Sequence, residues 1–244
     1  MPSELQLEQM TLQLITFGAT ITPDKLFPTT IPTAAKLIRT DPYGFAIATC
    51  LDRGTKAEII WSIPYDMKTY LCHLDPQHIY RMSLEELAVL FNRLHHRPRY
   101  IHDAPKTIRD LTRIVIDECD GNASNIWKSR RAADVNRIFR SIHGVGPGIA
   151  NMAVLLIEKA FDIRFSDRDR KNMNIKPDVH TMRVLYRLGA SHATTAQAAI
   201  TATRQMNPAY PGEIDSALWV IGRTWCHPNN PACLSCPMTF CCLK

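Results

Sequence analysis

Apolar residues recur at intervals of three and four along most of the chain, which is the pattern that buries one face of an α-helix. Alternating apolar and polar positions, which would indicate strands, are scarce. Capping signals agree, because Ser83 is followed three residues later by Glu86 and Asp41 precedes a proline suited to a first helical turn. The pattern predicts an all-α fold of about ten helices, with the clearest segments at 5–15, 45–51, 84–94, 108–116, 149–161, 182–188 and 217–221.

Proline-containing breaks at 22–32, 98–105 and 207–212 separate these segments. A mixed-charge run at 164–171, RFSDRDRK, is interpreted as a solvated loop, with a contact to nucleic acid as the alternative. The chain has no internal repeat and no low-complexity tract.

Composition narrows the class of protein only slightly. With 244 residues, of which 45% are hydrophobic, the chain can build a sizeable core in one domain or in two lobes. Its formal net charge of +6 suits a polyanionic partner but does not identify one. The N-terminal segment is acidic where a secretory signal is basic, and no apolar run approaches the roughly 20 residues that span a bilayer. We therefore expect a soluble, intracellular protein with no membrane partner.

Five of the eight cysteines crowd near the end of the sequence. In a reducing compartment such crowding indicates a metal centre rather than disulfides. Cys226, Cys233, Cys236 and Cys242 form C-x6-C-x2-C-x5-C, and four thiolates from one short loop can surround a [4Fe–4S] cluster. Zinc is the alternative, although four-cysteine zinc sites more often use two close pairs and this loop has one. Cys241 is an alternative to Cys242 as the fourth ligand.

A glycine-rich turn separates two apolar segments upstream of the cysteines. Gly144, Val145 and Gly146 match the G-h-G turn of a helix-hairpin-helix, and Pro147 suits the first position of the next helix. Glycines permit a tight turn and leave no side chain to obstruct a phosphate, so backbone N–H groups through Gly148 can point at one. Gly144, Val145, Gly146 and Gly148 are therefore predicted DNA contacts. An ordinary corner between two helices is the alternative.

The cysteine spacing is that of the cluster loop in endonuclease III and its adenine-glycosylase relatives. With this spacing and the G-V-G turn, the chain resembles the helix-hairpin-helix DNA glycosylases over roughly its last hundred residues. The resemblance extends more weakly back to Asp41. The resemblance implies a six-helix barrel lobe at 41–169, which contains the hairpin, and a helical lobe at 1–40 and 170–244, which carries the cluster loop. It also implies a monomer that binds double-stranded DNA in the cytoplasm or nucleoid.

The segment KPDVHT resembles the family's V-D-T-H segment, which implies that Asp178 is the catalytic residue. Breaking an N-glycosidic bond leaves positive charge on the sugar, and a fixed carboxylate can stabilise that charge and activate water. Aspartate is also a favoured N-cap of any helix, and this is the structural alternative.

Bifunctional members of the family carry a lysine two residues after the G-h-G turn, where this chain has Gly148. Glycine offers no nucleophile, so the resemblance implies a monofunctional glycosylase that hydrolyses the bond with water. Two alternatives remain open. One is a bifunctional glycosylase/lyase that uses Lys128 or Lys176, and the other is a non-catalytic DNA-binding protein.

Two basic residues are further candidates for DNA contact. Arg53 matches the position where relatives have a glutamine that fills the gap left by the flipped base, with a surface ion pair to Asp52 as the alternative. Lys128 belongs to the run WKSRR at 127–131, a candidate phosphate contact or a solvated face. An oxidised pyrimidine, a mispaired adenine, uracil or thymine, and an alkylated purine are all candidate bases.

Overall fold

The computed structural model describes residues 2–167 and 170–243, and within these it is helical without strands. The predicted all-α fold class is therefore confirmed. The α-helices are α1 (Glu4–Thr20), α2 (Pro23–Leu26), α3 (Pro32–Thr40), α4 (Pro42–Leu51), α5 (Ala57–Ile60), α6 (Ile63–Leu71), α7 (Pro76–Arg81), α8 (Leu84–Arg93), α9 (Ala104–Asp117), α10 (Ala132–Ser141), α11 (Pro147–Phe161), α12 (Val179–Arg187), α13 (Ala196–Met206) and α14 (Asp215–Thr224). Short 3-10 turns cover Ala123–Ile126, Pro211–Ile214 and Cys233–Ser235.

Local sequence signals set several helix starts. Ser83 and Glu86 form the predicted capping box at α8, with the Glu86 carboxylate accepting the Ser83 N–H at 2.7 Å. At α4, Asp41 accepts the N–H groups of Tyr43 and Gly44 at 3.0 and 3.1 Å, and Pro42 occupies the first helical position. All seven segments with clear helical spacing lie in or overlap helices.

The chain divides into two compact units, Phe27–Ser166 and Met1–Leu26 with Asp167–Lys244. The division differs from the predicted lobes at residues 27–40, which pack with the larger unit because α3 contacts α4 and α6. The predicted lobe boundary at 169, and part of the mixed-charge run at 164–171, lie outside the described residues. The six-helix barrel and its limits stay a prediction.

An aromatic cluster forms the centre of the larger unit. Phe45 on α4 is fully buried. Its ring centroid lies 5.2–6.0 Å from those of Phe27, Trp61, Trp127 and Phe161. Trp127 also stacks on Phe161 at 5.0 Å. Since aromatic rings bury large apolar areas, this cluster fixes α4 and α11 about one centre.

The smaller unit is built around α14. This helix packs against α12 and α1, and α13 contacts both α12 and α1. Thr11 on α1 donates to the backbone oxygen of Met206 at 3.2 Å, and the rings of Phe17 and Trp225 meet edge to face at 5.8 Å. Among the described residues, no helix combines the length and apolar character that crossing a membrane would need.

We expect Phe45→Ala to lower the free energy of unfolding by about 3–5 kcal/mol, because it removes buried ring contacts and leaves a cavity. Urea denaturation measures this change. Val89→Ala is the control, since Val89 is 56% exposed and its loss should change stability by no more than about 0.5 kcal/mol. Equal effects of the two substitutions would contradict the central role of the aromatic cluster.

Candidate functional site

The G-V-G turn joins α10 to α11, and these two helices pack against each other. Gly144 has a φ of 76°, a left-handed conformation that favours glycine. The Val145 side chain is buried, and its N–H donates to the Ile142 oxygen at 3.0 Å. Gly146 is the N-cap of α11 and has no side chain to accept the helix's first N–H groups. Gly144, Gly146 and Gly148 have no side chain to obstruct a phosphate, whereas the Val145 N–H already has an acceptor within the turn. The contacts of all four residues with DNA stay predictions.

Helix α9 anchors the start of this turn. The Thr107 hydroxyl donates to the His143 oxygen at 2.9 Å, and Asp110 accepts the His143 N–H at 3.0 Å. The His143 ring lies 3.3 Å from a carboxylate oxygen of Asp103. Nothing in the local pattern of α9 indicates these roles, because the partners lie 33 to 40 residues further along the chain.

Arg53 reaches the same turn from the loop that follows α4. One guanidinium nitrogen donates to the Gly144 oxygen, and the other donates to Thr107 Oγ1 at 3.3 Å. The guanidinium carbon also lies 5.3 Å from the centre of the Tyr100 ring. The structure thus brings Arg53 together with the predicted hairpin contacts, and its predicted insertion into DNA stays a prediction.

The basic run at 127–131 precedes α10. Trp127 belongs to the buried aromatic cluster, whereas Lys128, Arg130 and Arg131 are exposed. Arg130 donates through Nε to the backbone oxygen of Asn125 at 3.0 Å. Trp127 is therefore not available to a ligand, whereas the exposed Lys128 and Arg131 can reach one.

Asp178 is the N-cap of α12. Its Oδ1 accepts the N–H groups of His180 and Thr181 at 2.8 and 2.9 Å, and the Thr181 hydroxyl accepts the Asp178 N–H at 2.9 Å. The side chain is neither fully buried nor fully exposed. Asp178 is therefore an N-cap, as the structural alternative predicts. Because both hydrogen bonds end on Oδ1, capping is compatible with a chemical role for the other carboxylate oxygen.

Hydrogen bonds from 209–215 fix the segment that leads into Asp178. The Gly212 N–H donates to the Met173 oxygen at 2.8 Å. The Lys176 N–H donates to Oδ1 of Asp215, a buried carboxylate at the start of α14, also at 2.8 Å. Asp215 was not a sequence candidate, because a single aspartate at the start of a helix looks like any other cap. These contacts hold the Asp178 backbone in place.

The four predicted cysteine ligands line one cavity of about 270 Å³ in the smaller unit. The full lining is Arg187, Trp225, Cys226, Pro231, Cys233, Cys236, Thr239 and Cys242. Cys241 is not part of it. Among the described residues, no three His, Cys, Asp or Glu side chains converge closely enough for a single metal ion. The thiols instead surround an open space.

Burial and the neighbouring thiols both disfavour ionisation of Cys236 in this cavity. Burial raises the pKa of the Cys236 thiol, and the neighbouring Cys226, Cys242 and Cys233 raise it further, against a backbone hydrogen bond from Met238 that lowers it. Arg187, in the last turn of α12, donates to the Cys226 sulfur at 3.5 Å and to the Pro228 oxygen at 2.8 Å. Negative charges held close together disfavour one another, so a positive centre among the sulfurs would favour their ionised forms.

The other cysteines lie elsewhere. Cys50 and Cys119 are buried, and burial raises the pKa of both thiols, as expected of small apolar core residues. The apolar helical stretches around Cys50, Cys72 and Cys119 in the sequence predict three buried structural thiols. For Cys72 this is wrong, because it is exposed at the C-cap of α6, with a φ of 64°.

The predicted site residues thus form two groups. Arg53, Lys128 and the hairpin belong to the larger unit, whereas Asp178 and the four cysteines belong to the smaller one. Within the smaller unit, α12 begins at the Asp178 cap and ends with Arg187 at the cysteine cavity. The segment between Cys226 and Cys242 contains no lysine or arginine, and Leu234 and Phe240 are fully exposed in it.

No family model and no curated protein matches this chain. Solved structures do match it over nearly its full length. A trapped endonuclease III–DNA covalent intermediate, an estranged-adenine complex, has a TM-score of 0.62 at 19% identity and covers 100% of this chain and 97% of its own. A non-covalent endonuclease III–DNA complex gives 0.62 at 19% identity, covering 100% and 96%. A thermostable thymine-DNA glycosylase gives 0.60 at 18% identity, covering 98% and 95%. The chain has the fold of these proteins, which confirms the fold implied by the resemblance.

We expect Asp178→Ala to lower the free energy of unfolding by about 1 kcal/mol, because it removes the acceptor for two N–H groups of α12. Asp178→Asn should lower the free energy of unfolding by only about 0.2 kcal/mol, since an amide oxygen caps a helix nearly as well as a carboxylate. Chemical denaturation of the two variants checks this difference. If both variants lost the same stability, the carboxamide would not be replacing the cap.

Proposed function

We propose that this protein is a DNA glycosylase of base-excision repair, which hydrolyses the N-glycosidic bond of an altered base in double-stranded DNA. The observation that carries the proposal is the Asp178 carboxylate, fixed by its helix and by the 209–215 segment in a chain with the fold of DNA glycosylases. We propose that the protein acts as a monomer, in the cytoplasm or nucleoid.

The hairpin is proposed to bind the DNA backbone. The N-terminus of α11 presents N–H groups without a side-chain acceptor at Gly146, and the helix dipole there favours a phosphate. Lys128 lies just before α10 and is proposed as a further phosphate contact. Contacts of this kind position the protein on the duplex without reading its sequence.

Asp178 is proposed to stabilise the reacting sugar. As the bond to the base breaks, positive charge develops on the sugar ring, and a carboxylate held in a fixed position stabilises that charge without reorganisation. The same carboxylate can take a proton from the attacking water. The base must first leave the stack, which costs a few kcal/mol and costs least for a base that pairs poorly.

Gly148 supports hydrolysis over lyase chemistry. A glycine at this position provides no amine to form a Schiff base with the sugar. The product should therefore be an abasic site in an intact strand.

We expect strand breaks only after alkali treatment when the purified protein is incubated with duplexes that contain candidate altered or mismatched bases. The cleaved base identifies the substrate. Asp178→Asn should slow base release by about 10²–10⁴-fold while leaving the fold intact. Asp117→Asn, at an exposed position of α9, is the matched control and should not slow it.

Breaks before alkali, with a covalent adduct trapped by borohydride, would instead establish a lyase that uses another amine such as Lys128 or Lys176. Base release that is unchanged in Asp178→Asn would exclude Asp178 as the catalytic residue. Duplex binding without release of any base in a full panel would leave a DNA-binding protein.

Cys226, Cys233, Cys236 and Cys242 are proposed to hold a [4Fe–4S] cluster. Their shared cavity supports this ligand set. A bound cluster would supply four iron–sulfur cross-links that tie the loop together. Arg187 would stay hydrogen-bonded beside it, and Cys242 rather than Cys241 would be the fourth ligand.

We expect the protein as purified to be brown, with broad absorption near roughly 400 nm. Cys242→Ser should lose most of the absorbance and iron, whereas Cys241→Ser, a matched change one residue away, should keep both. Iron analysis and visible spectra measure this. Colourless protein with stoichiometric zinc would overturn the cluster, and the reverse result for the two serine variants would exchange the fourth ligand.

A further inference from the structure

The Arg53 guanidinium is engaged on three sides within the larger unit. One nitrogen donates to the Gly144 oxygen, the other donates to Thr107 Oγ1, and the guanidinium carbon lies over the Tyr100 ring. Thr107 is fully buried and also bonds the His143 oxygen. Arg53 and Thr107 therefore hold two successive carbonyl groups of the hairpin turn.

Two glycines make this arrangement possible. A Cβ at Gly144 would lie 1.7 Å from the nearest guanidinium nitrogen, so the turn has room for Arg53 only because residue 144 has no side chain. Gly54, next to Arg53, has a φ of 69°, and a Cβ there would lie 2.9 Å from the Tyr100 ring. Both glycines thus leave room for the groups that surround the guanidinium.

Fixing the Gly144 carbonyl also fixes the next N–H. The peptide unit between residues 144 and 145 is planar, so its oxygen and its N–H cannot turn independently. The Val145 N–H of that unit bonds the Ile142 oxygen at 3.0 Å. Arg53 therefore constrains the turn that leads into the first N–H groups of α11.

We propose that Arg53 is a positioning residue, which holds the hairpin in its phosphate-binding conformation before DNA arrives. The proposal rests on the proposed DNA-binding role of the hairpin. It gives Arg53 a role different from insertion into the duplex, because its guanidinium already has partners in the protein. Thr107 and the two glycines act with it.

Hydrogen exchange of the DNA-free protein tests this role directly. Arg53→Ala should speed exchange of the His143 and Val145 amides by about tenfold, the factor expected when one or two hydrogen bonds are lost, while amides in the middle of α11 stay protected. Arg53→Lys, which keeps the charge but has no planar fork, should give an intermediate rate. Arg113→Ala, an exposed arginine on α9, is the control and should change neither amide.

Binding to an undamaged duplex at several salt concentrations provides the second measurement. Arg53→Ala should weaken binding without changing the slope of log K against log salt, because no phosphate-neutralising charge is lost. A slope smaller by about 0.9, with unchanged amide exchange, would mean that Arg53 contacts a phosphate directly and would overturn the proposal. Unchanged exchange together with loss of base extrusion would assign Arg53 to the duplex gap, and would overturn it equally. Because exchange is measured without DNA, a failure of the proposed glycosylase function leaves this test intact.

Discussion

The first turn of an α-helix leaves N–H groups that need acceptors, and two helices of this chain meet that need in opposite ways. Helix α12 begins with Asp178, whose carboxylate accepts two of these groups. Helix α11 begins with Gly146 and Pro147, which provide no side-chain acceptor and remove one donor. One helix therefore carries its own negative charge at its N-terminus, and the other has no side-chain acceptor there. The proposed chemistry and the proposed DNA contact both follow from this difference.

In the smaller unit, α12 also contacts the cysteine loop, through side chains near its C-terminal end. Helix α12 starts at the Asp178 cap and ends with Arg187, which bonds the Cys226 sulfur and the Pro228 oxygen. Arg183, one turn earlier, donates to the backbone oxygens of Cys226 and Gly222 at 2.6 and 2.7 Å. A helix of nine residues is thus capped at one end by a carboxylate and tied to the cysteine loop near the other end by two of its own arginines.

Features encoded in adjacent residues could be predicted from the sequence. The capping box at Ser83 and the proline after Asp41 each depend on a few neighbouring positions, and both are confirmed. The four-cysteine spacing is equally local; the four side chains line one cavity, and their role as ligands stays a prediction. Single-turn helices such as α2 and α5 were missed, because four residues show no periodicity. The contacts of α3 with α4 and α6 were not predicted, because packing between helices leaves no periodic signal in the sequence. The bond from Arg53 to Gly144 spans 91 residues, so no local pattern could reveal it.

The anchoring of the hairpin by α9 has a consequence for the energetics of DNA search. A turn that is ordered before association gives up little conformational entropy when a phosphate reaches it. The affinity for a stretch of duplex would then be nearly independent of the bases in it, whether altered or not. Under the proposed function, discrimination between altered and undamaged bases would then arise after DNA binding. Its source would be the lower free-energy cost of unstacking an altered base. The enzyme would travel along DNA at almost constant affinity and pause where the helix itself is weak.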